Sequence, residues 1–403
     1  MDREQILQNA QAHEAEMVNF LREIIAIPSE SCQEGQVIQR IAREMRHVGF
    51  DEVTVDPMGN VLGRIGSGKT VLAIDAHVDT VGVGNLDQWQ HDPYQGKCEQ
   101  GIIYGRGAAD QEGALPAMVY AAKIINDLNL RDDYTLYMVG SVQEEDCDGL
   151  CWQYIVQEDQ IRPECVVITD STDCQVLRGH RGRMEMGVTT DGVSCHGSAP
   201  ERGENAIYKM TKIIQEIERL HERLRDHDFL GKGTLAVTYI DCKTPSLNAI
   251  PDQCYIHLDR RLTVGDTNDS AVAEVQEAIR RAGVEARVTV PTYDRPSYTG
   301  LVYETEKYFP TWILEEDQLA VRSAVQTCES LFDEEVGRVG RWVFSTNGVS
   351  IAGMFGIPCV GFGPGKEEHA HSVTDQVAVA QVVKAAAFYA AFPLTYLEQK
   401  RKQ

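Results

Sequence analysis

Apolar positions follow two different spacings along the chain, and each spacing predicts a different kind of element. Apolar residues recur at helical spacing up to Ile25 and again over residues 37–48, where Gly49 ends the pattern. Short apolar runs between helical stretches predict strands. These strands are expected at residues 52–56, 61–65, 71–74, 134–139 and 165–169, with a helix near 114–126. Strands that alternate with helices predict an α/β fold, in which helices flank the sheet.

The pattern changes after about residue 180 and changes back near residue 293. In between, the spacings predict the order strand, helix, strand, strand, helix, strand, which is typical of a ferredoxin-like α+β domain. The last third returns to α/β, with a helix near 319–331, a strand at 357–361 and a helix at 377–392. We therefore expect a catalytic α/β domain built from residues 1–181 and 293–403, with residues 182–292 inserted as a smaller domain.

Composition narrows the classes of partner. The 403 residues carry a formal net charge of -23, which argues against nucleic acid because a phosphate backbone would be repelled. The 11 cysteines are scattered, without a C-x-x-C pair or a disulfide framework, and the chain opens on Met1-Asp-Arg-Glu without an apolar leader. We therefore expect a protein of the reducing cytoplasm. No apolar stretch approaches the ~20 residues that a membrane span needs, so no membrane partner is expected.

A histidine and a carboxylate two residues apart end the apolar run 71–76. Residues i and i+2 of a strand project to the same side, so His77 can bind a metal while Asp79 accepts its other ring N–H. The spacing alone is weak, because His257 and Asp259 repeat it in a segment that is also typical of an ordinary strand. Position favours the first pair, since open α/β sheets bind ligands beyond the carboxyl ends of their strands.

Four further segments place metal-binding residue types after predicted strands. Asp110 follows a Gly-x-Gly turn, Glu145 follows the run 134–139, Asp170 follows the run 165–169, and His371 follows the run 357–361. Each has an ordinary alternative as a helix cap, a solvated charge or a loop residue. Together with His77 they form a set that suits two zinc ions, with one carboxylate bridging and one histidine on each ion.

The motifs around these residues resemble those of the co-catalytic zinc peptidase and deacylase family, which includes carboxypeptidase G, succinyl-diaminopimelate desuccinylase, acetylornithine deacetylase and bacterial dipeptidases. The resemblance extends over essentially the whole chain. It rests on Ala73-Ile-Asp-Ala-His77-Val-Asp79, on Gly105-Arg-Gly-Ala-Ala-Asp110, on Glu144-Glu145, and on His371 with Thr374-Asp375. The register favours His371 over His369 as the ligand. One departure is Gln111-Glu112-Gly113, where the family usually has Lys-Gly.

The resemblance implies roles for further residues. Glu144 would be the general base, and the inserted domain would be a lid that mediates a homodimer. The motif Gly192-Val-Ser-Cys-His196-Gly would supply a histidine that polarises the scissile carbonyl, in relatives from the partner subunit. Asn248 and Arg261 match residues that hold the carbonyl and the carboxylate of the substrate, and a guanidinium fork suits a carboxylate. Arg260 is expected to face the other way.

The expected chemistry is hydrolysis of an amide-type bond in a small amino-acid derivative with a free carboxylate. Two zinc ions about 3.5–4 Å apart, with Co²⁺ or Mn²⁺ as substitutes, would generate a bridging hydroxide, and Glu144 would carry the proton to the leaving nitrogen. We place the acidic end of the substrate on Thr346, Asn347 and the loop around Gly363. A hydrolase of N-carbamoyl or ureido groups with the same metals is the alternative, and a non-catalytic metal-binding protein is disfavoured because the base is intact.

Two further features of the sequence do not identify the substrate. Segments such as Trp342-Val-Phe-Ser-Thr-Asn-Gly348 resemble the subgroup of selenium-metabolism-linked hydrolases, a name that describes no reaction. The aromatic stretch 293–312 either lines the pocket or packs against the hinge of the lid, and packing is the favoured interpretation.

Overall fold

The computed structural model describes residues 2–333, 336 and 339–402. Over these residues the α-helices are α1 (Arg3–Ala12), α2 (Glu14–Ile25), α3 (Gly35–Val48), α4 (Ala114–Asp127), α5 (Leu150–Gln157), α6 (Ala206–Glu222), α7 (Asn268–Ala282), α8 (Leu319–Phe332) and α9 (Val379–Arg401). None of the helices in this described part is long and apolar enough to cross a bilayer.

The strands that the structure describes fall into one large sheet, a second sheet in the inserted domain and several short pairs. They are β1 (Glu52–Val55), β2 (Val61–Gly66), β3 (Thr70–His77), β4 (Lys97–Glu99), β5 (Ile102–Tyr104), β6 (Tyr134–Ser141), β7 (Cys165–Ile168), β8 (Gly179–His180), β9 (Gly182–Asp191), β10 (Thr234–Lys243), β11 (Gln253–Leu262), β12 (Arg287–Thr289), β13 (Thr292–Tyr293), β14 (Thr305–Glu306), β15 (Tyr308–Phe309), β16 (Trp312–Ile313), β17 (Cys359–Gly361) and β18 (Gln376–Ala378).

The large sheet is mixed, with strand order β1-β2-β6-β3-β7-β17. β1 and β2 are antiparallel to their neighbours, whereas β6, β3, β7 and β17 run parallel to one another. α4 and α9 pack against each other and against this sheet, and its central strands are buried and consist of nearly continuous apolar residues. The expected α/β sheet flanked by helices is confirmed, and the carboxyl ends of four strands meet at one edge.

The inserted domain has the order β9-α6-β10-β11-α7-β12, and its antiparallel sheet has the strand order β10-β11-β9-β12. This is the ferredoxin-like arrangement that the sequence predicts. Its apolar core is separate from that of the catalytic domain and lies between the sheet and the two helices. Alternation along β11 turns Arg260 inward, where it binds Asp266 and Glu274, and turns Arg261 outward, as expected.

The aromatic stretch 293–312 joins the two domains. Tyr293, Phe309 and Trp312 are buried in the apolar core of the catalytic domain, and β15 adds to the edge of the lid sheet beside β9. The structure thus places these aromatic side chains in packing between the domains, which agrees with the favoured interpretation.

Candidate metal centre

Parallel strands bring the expected ligands together at one edge of the large sheet. His77 is the last residue of β3, and Glu145 and Asp170 lie in the loops that follow β6 and β7. His371 comes from the loop after β17, and Asp110 from the loop between β5 and α4. His77, Glu145, Asp170 and His371 therefore converge because the carboxyl ends of parallel strands share one edge, and Asp110 reaches the same edge from its loop.

The imidazole of His77 is oriented by the backbone. Its Nδ1 lies 2.8 Å from the carbonyl oxygen of Asp79, whereas the Asp79 carboxylate is 3.6 Å away. The ring therefore donates its Nδ1–H to the backbone carbonyl, which corrects the expectation that the carboxylate accepts it. The other nitrogen, Nε2, is directed at Asp110 Oδ1 at 3.1 Å and Asp170 Oδ1 at 3.6 Å.

The Asp79 carboxylate positions the acidic pair instead. It accepts hydrogen bonds from the backbone N–H groups of Glu144, at 3.1 Å, and Glu145, at 3.0 Å, and from the Ser31 hydroxyl at 2.6 Å. Because Asp79 is completely buried, these donors have no competing water. Asp79 thus fixes the backbone from which both glutamates project.

Asp110 lies between the two histidines. Its Oδ1 faces His77 and its Oδ2 lies 3.3 Å from Nε2 of His371, which also lies 2.9 Å from Glu145 Oε2. Ligand atoms of His77, Asp110 and Glu145 all lie within 4.8 Å of one another. One oxygen towards each histidine is the arrangement that a bridging carboxylate requires.

The protonation of these groups shows how strongly they interact. Burial alone would raise the pKa of Asp110, but hydrogen bonds to His371 and His77 outweigh it and hold the pKa well below its usual range. Hydrogen bonds to Asp110 and Glu145 raise the pKa of His371 to about 10. Burial raises the pKa of Glu145 to about 7 and that of Asp170 to about 6. The opposite shifts of Asp110 and His371 follow from their direct contact.

The residues fit two divalent cations. His77, Asp170 and one oxygen of Asp110 would hold one, and His371, Glu145 and the other oxygen of Asp110 would hold the second. Asp170 Oδ2 is buried and has no hydrogen-bond partner within the described residues, which suits a ligand atom. Histidine nitrogens with carboxylate oxygens form a donor set typical of zinc.

Glu144 lies beside this centre at the wall of a cavity of about 290 Å³. Its Oε2 is 3.9 Å from Nε2 of His77, and burial raises the pKa of its carboxyl well above the usual range. Glu145, Asp110, Asp170 and His371 line the same cavity, with Arg183 and Arg261 of the lid. The candidate base Glu144 and the candidate ligands thus line one cavity.

The residues expected to bind substrate lie in different places. Arg261 lines the cavity, and its guanidinium is held by Asp259, so the second His-x-Asp pair supports an arginine. Thr346, Asn347 and Gly363 are buried behind the cavity wall, which corrects their expected role. Both ends of the Asn347 amide are bonded within the core, and a Cβ on Gly363 would meet the Thr169 carbonyl oxygen at 1.8 Å.

His196 and Asn248 lie on the exposed surface of the lid and do not line the cavity of their own chain. Their loops are joined, since the Gly197 N–H donates to the Asn248 carbonyl at 2.7 Å. The Ser198 N–H donates to Nδ1 of His196 at 3.1 Å, so in neutral His196 the proton is on Nε2, which is directed away from Ser198. His196 therefore presents a donor at the surface of the lid.

Sequence reasoning missed five residues that line the cavity, namely Asp148, Arg183, Phe344, Ser345 and Ala370. Arg183 and Ser345 both bind the Asp148 carboxylate. A usable signal existed for Arg183, because it stands on the same face as Glu185 in the alternating segment that predicts β9. Phe344 and Ser345 adjoin the predicted Thr346 and Asn347. The prediction therefore chose the right segment but its buried residues instead of the two that line the cavity.

The chain is similar in sequence to known proteins of one family. Residues 178–287 match the sequence family described as the peptidase dimerisation domain of M20 proteins. The chain is 54% identical over 392 residues, 97% of each chain, to the uncharacterized protein YgeY of Escherichia coli (strain K12). It is 28% identical over 316 residues to acetylornithine deacetylase of Klebsiella pneumoniae (strain 342), covering 72% of this chain and 81% of that one.

The fold also has solved counterparts. The YXEP protein of Bacillus subtilis, described as a dinuclear metal binding peptidase from the M20 family, superposes with a TM-score of 0.72. The two chains are 13% identical, and the match covers 97% of this chain and 99% of that one. On its sequence relatives, its dimerisation domain and its fold, the chain belongs to the M20 family of metal-dependent peptidases and deacylases.

Proposed function

We propose that this protein is a dinuclear zinc hydrolase that cleaves an amide-type bond in a small amino-acid derivative with a free carboxylate. The observation that carries the proposal is Asp110, which directs one oxygen to each of two histidines while Glu144 lines the same cavity. Dinuclear metal binding in the YXEP protein and deacetylation by acetylornithine deacetylase support the metal count and the bond type.

The bound cations would lower the pKa of a water molecule so that a hydroxide nucleophile is available near neutral pH. Glu144 accepts the proton of that water and delivers it to the leaving nitrogen. Its buried position suits this role, because burial raises the pKa of a carboxyl towards the working pH of a base that must also act as an acid. Asp79 acts through the backbone of Glu144 and keeps its carboxylate at the cavity wall.

Arg261 binds the free carboxylate of the substrate. Its Nε and one Nη bind Asp259, which fixes the plane of the guanidinium and leaves the other Nη directed elsewhere. A fixed guanidinium loses less freedom on binding a carboxylate than a mobile one. The cavity thus holds the scissile group at the metal side and the carboxylate at the lid side.

His196 polarises the scissile carbonyl from the partner subunit of a homodimer formed through the lid. Within its own chain His196 is exposed and outside the cavity, which supports a role at the site of a second copy. Mixing His196→Ala and Glu144→Gln subunits tests this directly. In a heterodimer of the two variants, one site pairs an intact Glu144 with the partner's intact His196.

Random exchange of equal amounts should therefore restore about one quarter of wild-type turnover, because half of the dimers are mixed and half of their sites are complete. Each variant alone should be nearly inactive, since loss of an oxyanion donor typically costs about 10²–10³ in turnover. Activity that stays at the level of the separate variants would place His196 in cis or outside catalysis.

A substrate panel tests the bond type. Metal-loaded protein is incubated with dipeptides, N-acyl amino acids and N-carbamoyl amino acids, and the products are identified by mass spectrometry. A free amino acid with an acyl acid or a second amino acid supports the proposal. Release of ammonia or carbamate alone would assign the ureido alternative, and absence of any hydrolysis at full metal content would refute an amidohydrolase of small substrates.

A further inference from the structure

Two arginines face each other across the lid strands at the cavity. Arg183 on β9 and Arg261 on β11 are direct partners in the antiparallel register, and both side chains line the cavity with the metal ligands. Like charges directly opposite each other on one face of a sheet are unfavourable. Anionic groups close to the two guanidinium groups would reduce this repulsion.

The protein offsets the two charges only in part. Arg183 donates from Nη2 to Asp148 at 2.9 Å, and its second carboxylate neighbour, Glu185, is 3.8 Å from Nη1. Glu185 is already engaged by Lys307 and His257. No hydrogen bond of Arg183 Nη1 exists within residues 2–333, 336 and 339–402, and its Nε is a buried donor without a partner there. Nη1 of this cavity-lining arginine is thus a donor without an acceptor among the described residues.

Asp148 fixes where those donors lie. Its carboxylate is buried and accepts from Arg183 on one oxygen and from Ser345 on the other. The Arg183 guanidinium also stacks 4.7 Å above the ring of Phe309. A guanidinium held on two sides is already ordered before a ligand arrives, which favours tight recognition of a second planar anion.

Arg183 stays a charged guanidinium in the cavity. The charge of Asp148, followed by those of Glu185, Asp259 and Glu144, outweighs burial and raises the pKa of Arg183. The opposite wall carries Glu144 and the three candidate carboxylate ligands. A negative group at the lid end of a substrate is therefore directed to the two arginines and away from that wall.

We propose that Arg183 binds a second acidic group of the substrate, so that the preferred substrates are derivatives of an acidic amino acid such as glutamate. This inference rests on the proposed function, because it assigns the substrate class of the same cavity. Arg261 binds one carboxylate and Arg183 the other. Side chains directly opposite across antiparallel strands start about 4.5–5.5 Å apart, so two carboxylates of one small molecule can reach both guanidinium groups.

The test compares matched substrates that differ by one charge. The glutamate and glutamine members of each pair, such as N-acetyl-L-glutamate and N-acetyl-L-glutamine, have nearly the same shape. For the acyl class that the wild type hydrolyses, we expect kcat/KM to favour the glutamate member by about 10- to 100-fold, as one charge-assisted hydrogen bond provides. Arg183→Met should remove this preference by losing activity on the glutamate member alone.

Two further variants separate recognition from folding. Arg183→Lys keeps the ion pair with Asp148 and should retain part of the preference, whereas Arg287→Met removes an exposed lid arginine outside the cavity and should leave the preference unchanged. An Arg183 variant that lowers activity on both members equally would show a structural role only and would overturn the inference.

A binding experiment keeps the inference separate from the proposed function. Calorimetric titration of the Glu144→Gln protein with N-acetyl-L-glutamate and N-acetyl-L-glutamine does not depend on turnover. Tighter binding of the glutamate compound that vanishes in Glu144→Gln/Arg183→Met supports the inference even where no member of the panel is hydrolysed. Equal affinities would overturn it, whether or not the amide hydrolase is confirmed.

Discussion

Replacing Asn347 by leucine separates a residue that supports the site from one that binds substrate. The buried Asn347 amide donates to Asp75 at 2.8 Å and to Ser141 at 3.1 Å, and its oxygen accepts from the Gly149 N–H at 2.8 Å. These contacts join β3, β6 and the start of α5. Leucine has a similar shape and can make none of them.

The expected loss of stability follows from the groups left behind. The Gly149 N–H and the Asp75 carboxyl are both buried and lose their partner, and each such loss costs about 1–3 kcal/mol. The sum is on the order of 4 kcal/mol, a large part of the ~5–15 kcal/mol that stabilises a typical domain. The Ser141 hydroxyl and the Cys151 thiol also contact the Asn347 amide, but they can rotate to other partners, so their loss adds little to this cost.

Urea unfolding followed by tryptophan fluorescence measures this change, because Trp152, Trp312 and Trp342 are buried in the catalytic domain. The matched control is Asn248→Leu, an exposed lid residue whose side-chain amide makes no hydrogen bond within the described residues. It should keep wild-type stability, and it should raise KM because Asn248, expected to bind the substrate carbonyl, lies in a loop bonded to that of His196. If the free energy of unfolding of Asn347→Leu lies within about 1 kcal/mol of the wild-type value while KM rises tenfold, Asn347 binds substrate and does not support the core.

Three other substitutions test the centre and its surroundings. Glu144→Gln should bind two zinc ions per chain and lose about 10²–10⁴ in turnover, and near-normal hydrolysis would exclude Glu144 as the base. Asp110→Ala should lose both metals because each cation loses the carboxylate that the two share; two zinc ions per chain by elemental analysis would contradict a bridging role. Burial lowers the pKa of His180 from 6.5 to about 4. Because mainly the unfolded chain takes up this proton as pH falls from 6.5 to 4, the free energy of unfolding decreases by about 3 kcal/mol over that range. His180→Gln cannot be protonated and should show a smaller decrease in urea-unfolding free energy between pH 7 and pH 4.5; an identical decrease would show that His180 does not couple pH to stability.

The candidate ligands and the strands that carry most of them could be located from the sequence because both depend on strand topology. An apolar run followed by a histidine or acid gives the position of a strand end, and parallel strands bring such ends together. That reasoning needs no knowledge of register. The structure brings four of the candidates, His77, Glu145, Asp170 and His371, to one edge of the sheet in this way, and Asp110 joins them from the loop between β5 and α4.

The errors arose where register or a buried polar partner decides the outcome. The run Phe344-Ser-Thr-Asn-Gly348 is polar, which is typical of an exposed loop, yet Asn347 is buried because it binds Asp75 inside an apolar strand. Arg183 was overlooked because its position opposite Arg261 depends on the pairing of β9 with β11. The role of Asp79 was wrong because its backbone carbonyl, and not its carboxylate, binds Nδ1 of His77. The spacing of side chains does not show where a carbonyl points.

The separation of the ligands along the chain has a consequence for biosynthesis. His77, Asp110, Glu145 and Asp170 precede the inserted domain, and His371 comes about 200 residues after Asp170. At ~5–20 residues/s, the ribosome needs about 10–40 s to make the intervening segment. During that interval the nascent chain holds the acidic half of the centre without its second histidine and without β17. A ribosome-bound fragment would therefore retain at most one cation, and capture of the second would report that synthesis of the catalytic domain is complete.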